Sequence, residues 1–332
     1  MGTDASDRGE PISLHPLLFQ PVYRRYLWGG RRFATRLGRE LPPGDDFAES
    51  WEVVDRAGDQ SVVAAGPLAG RSLGELVRGS GPSLLGRHAG LASFPLLFKF
   101  LDACHDLSVQ VHPDDARAAT LVPPDKGKTE AWYVIDAAPG ARLWAGLRAG
   151  VDRAALETAL RAGRMDEVLH AVEPRAGDCI FVPAGTVHAI GAGLLVAEIQ
   201  QSSDVTWRLH DWNRTGPDGK PRALHVDAGL DAVTRFEPVG PATPIATADP
   251  AVRRLVECGH FIFDEVRPDG TWSVGGDDRF HLLAVVDGTV RFDDAWGLPG
   301  LASGQTALLP ASIGRQTIHA PGRATLLQVT LP

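Results

Sequence analysis

The chain has 332 residues, 44% of them hydrophobic and 22% charged, with a net charge of −8. That is room for one large or two modest cores, and an acidic chain without a basic block is a poor partner for nucleic acid or an anionic membrane. Three widely spaced cysteines without a C-x-x-C pair, no apolar leader and no run of transmembrane length predict a reduced, cytoplasmic setting.

Residues 1–15 read as a polar, disordered leader. From Leu17 to Val63 short apolar pieces alternate with Gly and Pro turns, the pattern of strands. Ser72 to His88 predicts a helix, with Leu73, Leu76 and Val77 on one face. In Leu96-Leu-Phe-Lys99-Phe-Leu101, alternation groups Lys99 with Leu97 and Leu101, so its ammonium is expected to enter a polar cavity. Leu107-Ser-Val-Gln-Val-His112 follows. Ser108, Gln110 and His112 share one strand face, which therefore looks into something polar. Asp114 or Asp115 is placed to cap a short helix ending near Leu121. In Gly127-Lys-Thr-Glu130-Ala-Trp-Tyr-Val-Ile135 a loop enters an apolar strand, with Lys128 and Glu130 on one side. Asp152 can cap a helix carrying Leu156 and Leu160, and Met165 to Leu169 reads as the start of another.

Gly177-Asp-Cys-Ile-Phe-Val-Pro183-Ala-Gly185-Thr-Val-His188 is the most specific signal in the chain. A strand ends in a Pro-x-Gly turn that aims a lone imidazole in a fixed direction. This is how small jelly-roll barrels of the cupin type hold a metal. Val196-Ala-Glu198-Ile-Gln200 then alternates polar and apolar side chains, and Thr206-Trp-Arg208 follows. Gln110, His112, Glu130 and His188 together offer an amide oxygen, a carboxylate and two imidazoles. That set suits Zn²⁺, and also Mn²⁺, Fe²⁺ or Co²⁺. Pro238 to Pro250 reads as a linker. Beyond it His281 to Val290 reads as a hairpin turning at Asp287-Gly288, and Gly304 to Gly314 repeats the glycine-strand-proline plan without a counterpart of His188. His281 and His319 are expected to be a satisfied core histidine or a surface one. The fold expected is mainly β: two cupin-type jelly-roll barrels, a metal-binding one over 16–237 and a degenerate, metal-free one over 251–332, with a short helical excursion.

The ordered run Phe94-Pro-Leu-Leu-Phe-Lys99-Phe-Leu-Asp102-Ala103, Leu107 to Asp115, Gly127-Lys-Thr-Glu130 and Glu198 to Arg208 resembles type I phosphomannose isomerases in their short bacterial form. Tyr26-Leu-Trp-Gly-Gly30 and Glu49-Ser-Trp-Glu52 resemble that family's opening motifs. The resemblance runs from about Phe19 to Arg214 and is thin beyond Arg222. It implies zinc, one ion per chain, on Gln110, His112, Glu130 and His188. It also implies an aldose–ketose isomerase acting on a sugar phosphate, with active-site cations at Lys99, Lys128 and Arg208. Arg208, Lys128 and Glu198 are the expected catalytic groups, and Lys99 and Ser108 the expected substrate contacts. Glu198 could instead orient a ligand, and Arg208 could pair with Asp204 or Asp211 on the surface. A monomer or homodimer is expected. Two other readings are weighed against this one. An oxygenase or a different metal-dependent sugar isomerase of the same fold would carry His-x-His in place of Gln110-x-His112, and a silent sugar-phosphate binder would tolerate loss of a ligand or cation.

Overall fold

The computed structural model describes residues 13–215, 219–293 and 300–332. Its strands form two pairs of antiparallel sheets and a small two-stranded ribbon, Asp55–Arg56 with Asp59–Gln60. In the N-terminal half a six-stranded sheet runs in the spatial order Val22–Gly30, Phe47–Val53, Leu96–Ala103, Leu194–Gln201, Glu130–Ala137, Cys179–Val182. It faces a five-stranded sheet ordered Trp207–His210, Val109–Val111, His188–Ile190, Leu143–Leu147, Leu169–Val172. Leu101, Val134, Leu143, Ile190 and Val196 fill part of the space between them. The C-terminal half has the same plan. A six-stranded sheet containing Ile262–Val266, Thr325–Thr330 and His281–Asp287 packs on a four-stranded one through Leu283, Val285, Val290 and Ile318. The mainly β expectation holds, but each pair of sheets is an open sandwich and no barrel closes among the described residues.

The two six-stranded sheets pack on one another. Phe98, Phe100, Ala197 and Ile199 meet Phe263, Leu282, Leu327 and Val329 in the largest apolar cluster of the molecule, which also takes in the helix Leu73–Leu85. Direct aromatic contacts cross the join: Phe94 lies 4.9 Å from Phe280 and Phe181 6.5 Å from Phe261, centroid to centroid. The strands Leu96–Ala103 and Leu194–Gln201 are consequently buried along their whole length, on both faces. The outer face of the five-stranded sheet is covered by Leu156, Leu160 and Leu230 from the helices Arg153–Arg161 and Val226–Ala232.

Local signals account for the helix starts. Ser72 and Glu75 form a reciprocal capping box, and the Asp114 and Asp152 carboxylates accept from the third residue of their helices. Several expectations need correction. Met165–Glu167 is a single turn of 3₁₀ helix, and the chain leaves it as the strand Leu169–Val172, because pairing with Leu143–Leu147 outweighs so short a helical pattern. Asp287-Gly288 makes a corner, not a hairpin: His281–Asp287 and Thr289–Phe292 belong to different sheets. The helix Val226–Ala232 was not expected at all. Of the presumed leader, residues 1–12 lie outside the described residues. Leu14 and His15 are buried, and Leu17 exchanges two main-chain hydrogen bonds with Leu308, so the packed chain begins earlier than composition implies. The presumed linker is bonded in place: Val239 donates to Ala145 O, Ala242 to Cys179 O, and Ile245–Ala246 pairs with Arg253 and Arg254. Among the described residues no helix is long and apolar enough to cross a membrane.

Truncation at Pro238 should leave every metal-ligand candidate in the chain yet expose the Phe98/Phe100/Ile199 face, giving an aggregating product on size exclusion. Phe263→Ala in the intact chain is expected to cost about 3–5 kcal/mol in chemical denaturation. An unchanged denaturation midpoint would show that the two halves do not share a core.

Candidate metal centre and active-site cleft

Between the two N-terminal sheets, where apolar side chains give way to polar ones, lies a cleft of about 230 Å³. Strand register decides which residues reach it. On the six-stranded side Glu198 is cross-strand neighbour to both Lys99 and Trp132, and Gln200 to Glu130. Their opposite faces carry the phenylalanines and leucines of the join with the C-terminal half. On the five-stranded side His188, Gln110 and Arg208 form one lateral row across three strands. The Pro183-Ala-Gly185 turn sets the end of that row. Gly185 has φ +84°, and a Cβ there would lie 2.0 Å from Thr234 Oγ1, so only glycine fits. Its N–H donates to His112 O, which ties the segments bearing His112 and His188 together.

His112, Glu130 and His188 are buried, and their ligand atoms all lie within 4.8 Å of one another, the one such cluster among the described residues. Glu130 Oε2 is 3.5 Å from His112 Nε2, and Oε1 is 3.3 Å from His188 Nε2. Each imidazole binds a main-chain carbonyl through Nδ1, His112 to Val205 O and His188 to Thr186 O, both at 2.9 Å. With Nδ1 donating, Nε2 carries the lone pair, and both lone pairs face Glu130. Burial and the Lys128 ammonium push His112 well below its ordinary value, and burial takes His188 down to about 4. Both rings are therefore neutral at physiological pH, as ligands must be. Trp132 packs edge-on against His188 at 5.3 Å.

These donors fit a borderline divalent ion. Glu130 Oε2 is buried without an aligned hydrogen-bond donor, and the ammonium of Lys128 is drawn to the same electron pairs, 2.8 Å from that oxygen and 2.9 Å from His112 Nε2. Gln110 stands beside His188 on the neighbouring strand; its amide nitrogen donates to Ser108 Oγ at 3.0 Å, which leaves the amide oxygen as the group available to a metal.

The cations are distributed around this centre. Lys99 lies 3.1 Å from Glu198 Oε1 and 3.5 Å from Glu49 Oε2. Burial opposes its charge, but Glu198, Glu49 and Glu130 outweigh burial and hold the ammonium above its ordinary range. Glu198 Oε1 is also 3.9 Å from Lys128. Arg208 donates through Nε to Ser108 Oγ and through Nη1 to Ala223 O. It pairs with no carboxylate among the described residues, because Asp211 is taken by Arg214 and Arg222. Lys99, Ser108, Gln110, Lys128, Glu130, His188, Glu198 and Arg208 thus all line one cleft, with His112 buried behind Glu130.

Glu49, Asp204, Thr206 and Arg222 also line the cleft and were not among the site residues expected from sequence. Glu49 had a signal, since it alternates with Trp51 on a strand and bonds that indole at 2.6 Å. Arg222 had none, lying in an aperiodic polar loop. Trp28 lines the cleft as well, stacked on Tyr26. His281 and His319 are accounted for by Asp277 and Asp293, their partners in the C-terminal half.

Residues 17–132 match the catalytic domain of type I phosphomannose isomerases. The chain is 35% identical to the mannose-6-phosphate isomerase ManA of Bacillus subtilis over 310 residues, covering 91% of this chain and 95% of that one. It is 34% identical to the mannose-6-phosphate isomerase of Streptococcus mutans, covering 90% and 93%. The crystal structure of the mannose 6-phosphate isomerase from Bacillus subtilis superposes with a TM-score of 0.86 at 30% identity, covering 95% of this chain and 99% of that one. The chain belongs to the type I phosphomannose isomerase family.

Proposed function

We propose that this protein interconverts mannose 6-phosphate and fructose 6-phosphate, with one Zn²⁺ per chain held by Gln110, His112, Glu130 and His188. The observation that carries the reading is the convergence, in one cleft of a single chain, of a buried His-Glu-His ligand set with Lys99, Lys128, Glu198 and Arg208. Family membership supports it. Since every group comes from one chain, the site is complete in a monomer, and a homodimer would need no shared residue. A sugar phosphate is the partner, and the cytoplasm is the setting the composition favours.

The reaction moves a proton between C1 and C2 through an enediol while a second proton moves between the two oxygens. A bound divalent ion would stabilise negative charge on those oxygens. The chain's own residues do the rest. Glu198, buried and beside two ammonium groups, exchanges the carbon-bound proton; Lys99 stays charged throughout and keeps that carboxylate in place. Lys128, against the ligand set, faces the charge that develops on the substrate oxygens, in a site where low dielectric strengthens the interaction. Ser108 and Lys99 hold sugar hydroxyls, and Arg208 addresses the substrate from the opposite sheet.

A coupled assay should detect fructose 6-phosphate from mannose 6-phosphate. Dialysis against a chelator should abolish turnover, and Zn²⁺, Mn²⁺ or Co²⁺ should restore it; undiminished turnover by protein shown to be metal-free would falsify the metal-dependent mechanism. Elemental analysis should give about one metal per chain, whereas two tightly held ions would mean the C-terminal half carries a site of its own.

Single substitutions separate the roles. His112→Ala and His188→Ala are expected to lose metal and activity together, while Gln110→Ala should weaken metal binding less, since a neutral amide is the poorer ligand. Arg208→Ala should keep its metal and lose most of kcat/KM, with the fall in kcat if its guanidinium meets the reacting oxygens. An Arg208→Ala enzyme with both constants unchanged would place this arginine outside the mechanism.

A further inference from the structure

Lys128 stands where the metal ligands would need an ion. His112 Nε2 and Glu130 Oε2 lie 3.5 Å apart, and the Lys128 ammonium bridges them, 2.9 Å from the nitrogen and 2.8 Å from the oxygen. The two uses of His112 exclude one another. Its Nδ1 is committed to Val205 O, so Nε2 offers a single lone pair, and an ammonium and a divalent ion cannot both take it. The pairing has a physical reason of its own. Glu130 and Lys128 are both buried, and each charge in such surroundings is costly unless the other stands against it.

Only a side chain has to move for the lone pair to come free. Lys128 N donates to Pro113 O at 3.0 Å, which fixes the main chain beside His112, while the four-carbon stem leaves the ammonium free to swing. A second acceptor is within reach. Glu198 Oε1 is 3.9 Å from Lys128 Nζ, about 1 Å beyond the length of a charge-assisted hydrogen bond. That oxygen is buried without an aligned donor, although Lys99 lies 3.1 Å away and is shared with Glu49. Glu198 therefore has room for a second ammonium, and it stands on the neighbouring strand, across from Trp132.

Resting on the metal-dependent isomerase reading above, we infer that Lys128 is an internal counter-ion of the ligand set, one that yields His112 and Glu130 to the divalent ion and passes to Glu198. Loading the site then does two things at once. The ligands receive their ion, and the ammonium is delivered beside the carboxylate that exchanges the carbon-bound proton. Lys128 thereby ties assembly of the acid–base pair to the presence of metal, and holds metal affinity below what the ligands alone would give.

The test reads metal binding and not turnover. Chelator-treated full-length protein is titrated with Zn²⁺ in competition with a fluorescent zinc chelator. Lys128→Met should bind Zn²⁺ about 10- to 100-fold more tightly than wild type, because loading no longer breaks contacts between charged groups. Its melting temperature in chelator should fall below that of wild type, since Glu130 keeps a buried charge without its partner, and Zn²⁺ should restore it. Lys128→Gln should change affinity in the same direction and serves if the methionine variant misfolds. Glu198→Gln should weaken Zn²⁺ binding several-fold more when Lys128 is present than in the Lys128→Met background, the signature of a shared contact. Unchanged or weaker Zn²⁺ affinity in folded Lys128→Met or Lys128→Gln would overturn the exchange, and an equal effect of Glu198→Gln in both backgrounds would overturn the passage to Glu198. Failure of the isomerase reading is distinguishable. A chain that does not turn over mannose 6-phosphate yet binds Zn²⁺ more tightly without Lys128 would uphold the exchange alone, whereas turnover with a Lys128-independent affinity would uphold the isomerase alone.

Discussion

Burial of the N-terminal six-stranded sheet on both faces is the constraint on which this molecule depends. One face of the strands Leu96–Ala103 and Leu194–Gln201 is committed to apolar contact with the C-terminal half, so whatever polar groups these strands carry must point the other way. Lys99 and Glu198 are cross-strand neighbours there, and neither is more than 6% exposed. Charges in such a place persist only when each neutralises another, and removing one leaves the rest uncompensated. The same packing that stabilises the fold thus concentrates a charged cluster in a region of low dielectric, where its effect on a reacting substrate is greatest.

The metal-ligand candidates are preorganised by main chain. Glu130 comes from the six-stranded sheet; Gln110 and His188 lie in the five-stranded sheet, and His112 follows directly on the strand that bears Gln110. Both histidines have their tautomer set by carbonyls. The loop that supplies Val205 O to His112 is itself held: Ser203 Oγ donates to Lys126 O, and Gln201 accepts from Thr129 N while donating to Asp115. Lys128, Glu130 and His112 are therefore positioned by one hydrogen-bonded frame around residues 200–205. The dense Glu198 to Arg208 motif owes much of its polar character to this framing.

Among the described residues the C-terminal half contributes no group to the cleft, yet it covers the back of the sheet that does. It keeps the two-sheet plan and the glycine-strand-proline signature, while two of its histidines are spent on carboxylates: His281 on Asp277, with Gln328 donating to its other nitrogen, and His319 on Asp293. Arg39 adds a polar clasp across the join, donating to Glu52 and to Gly304 O, and Glu52 also meets Thr306.

Much of the site was legible in the chain because strand alternation is a local property. Ser108, Gln110 and His112 on one face, Lys99 among leucines and the Pro183-Ala-Gly185 turn before His188 each point to a polar cavity without knowledge of the fold. The capping residues Ser72, Asp114 and Asp152 are equally local, since a cap is satisfied within three residues. Tertiary structure decided what depends on distant partners. Met165–Leu169 became a turn and a strand because Leu143–Leu147 stood ready to pair, and Asp287-Gly288 became a corner because its two strands found different sheets. The proline-rich stretch 238–250 was tied down by carbonyls left open on the first sandwich, and Leu14 was buried by a core that no pattern in the residues before it announces. Arg222 entered the cleft only because a loop carried it past the edge strand and Asp211 held it there. A position of that kind is set by the closing of the chain on itself, and no periodicity in the neighbouring residues encodes it.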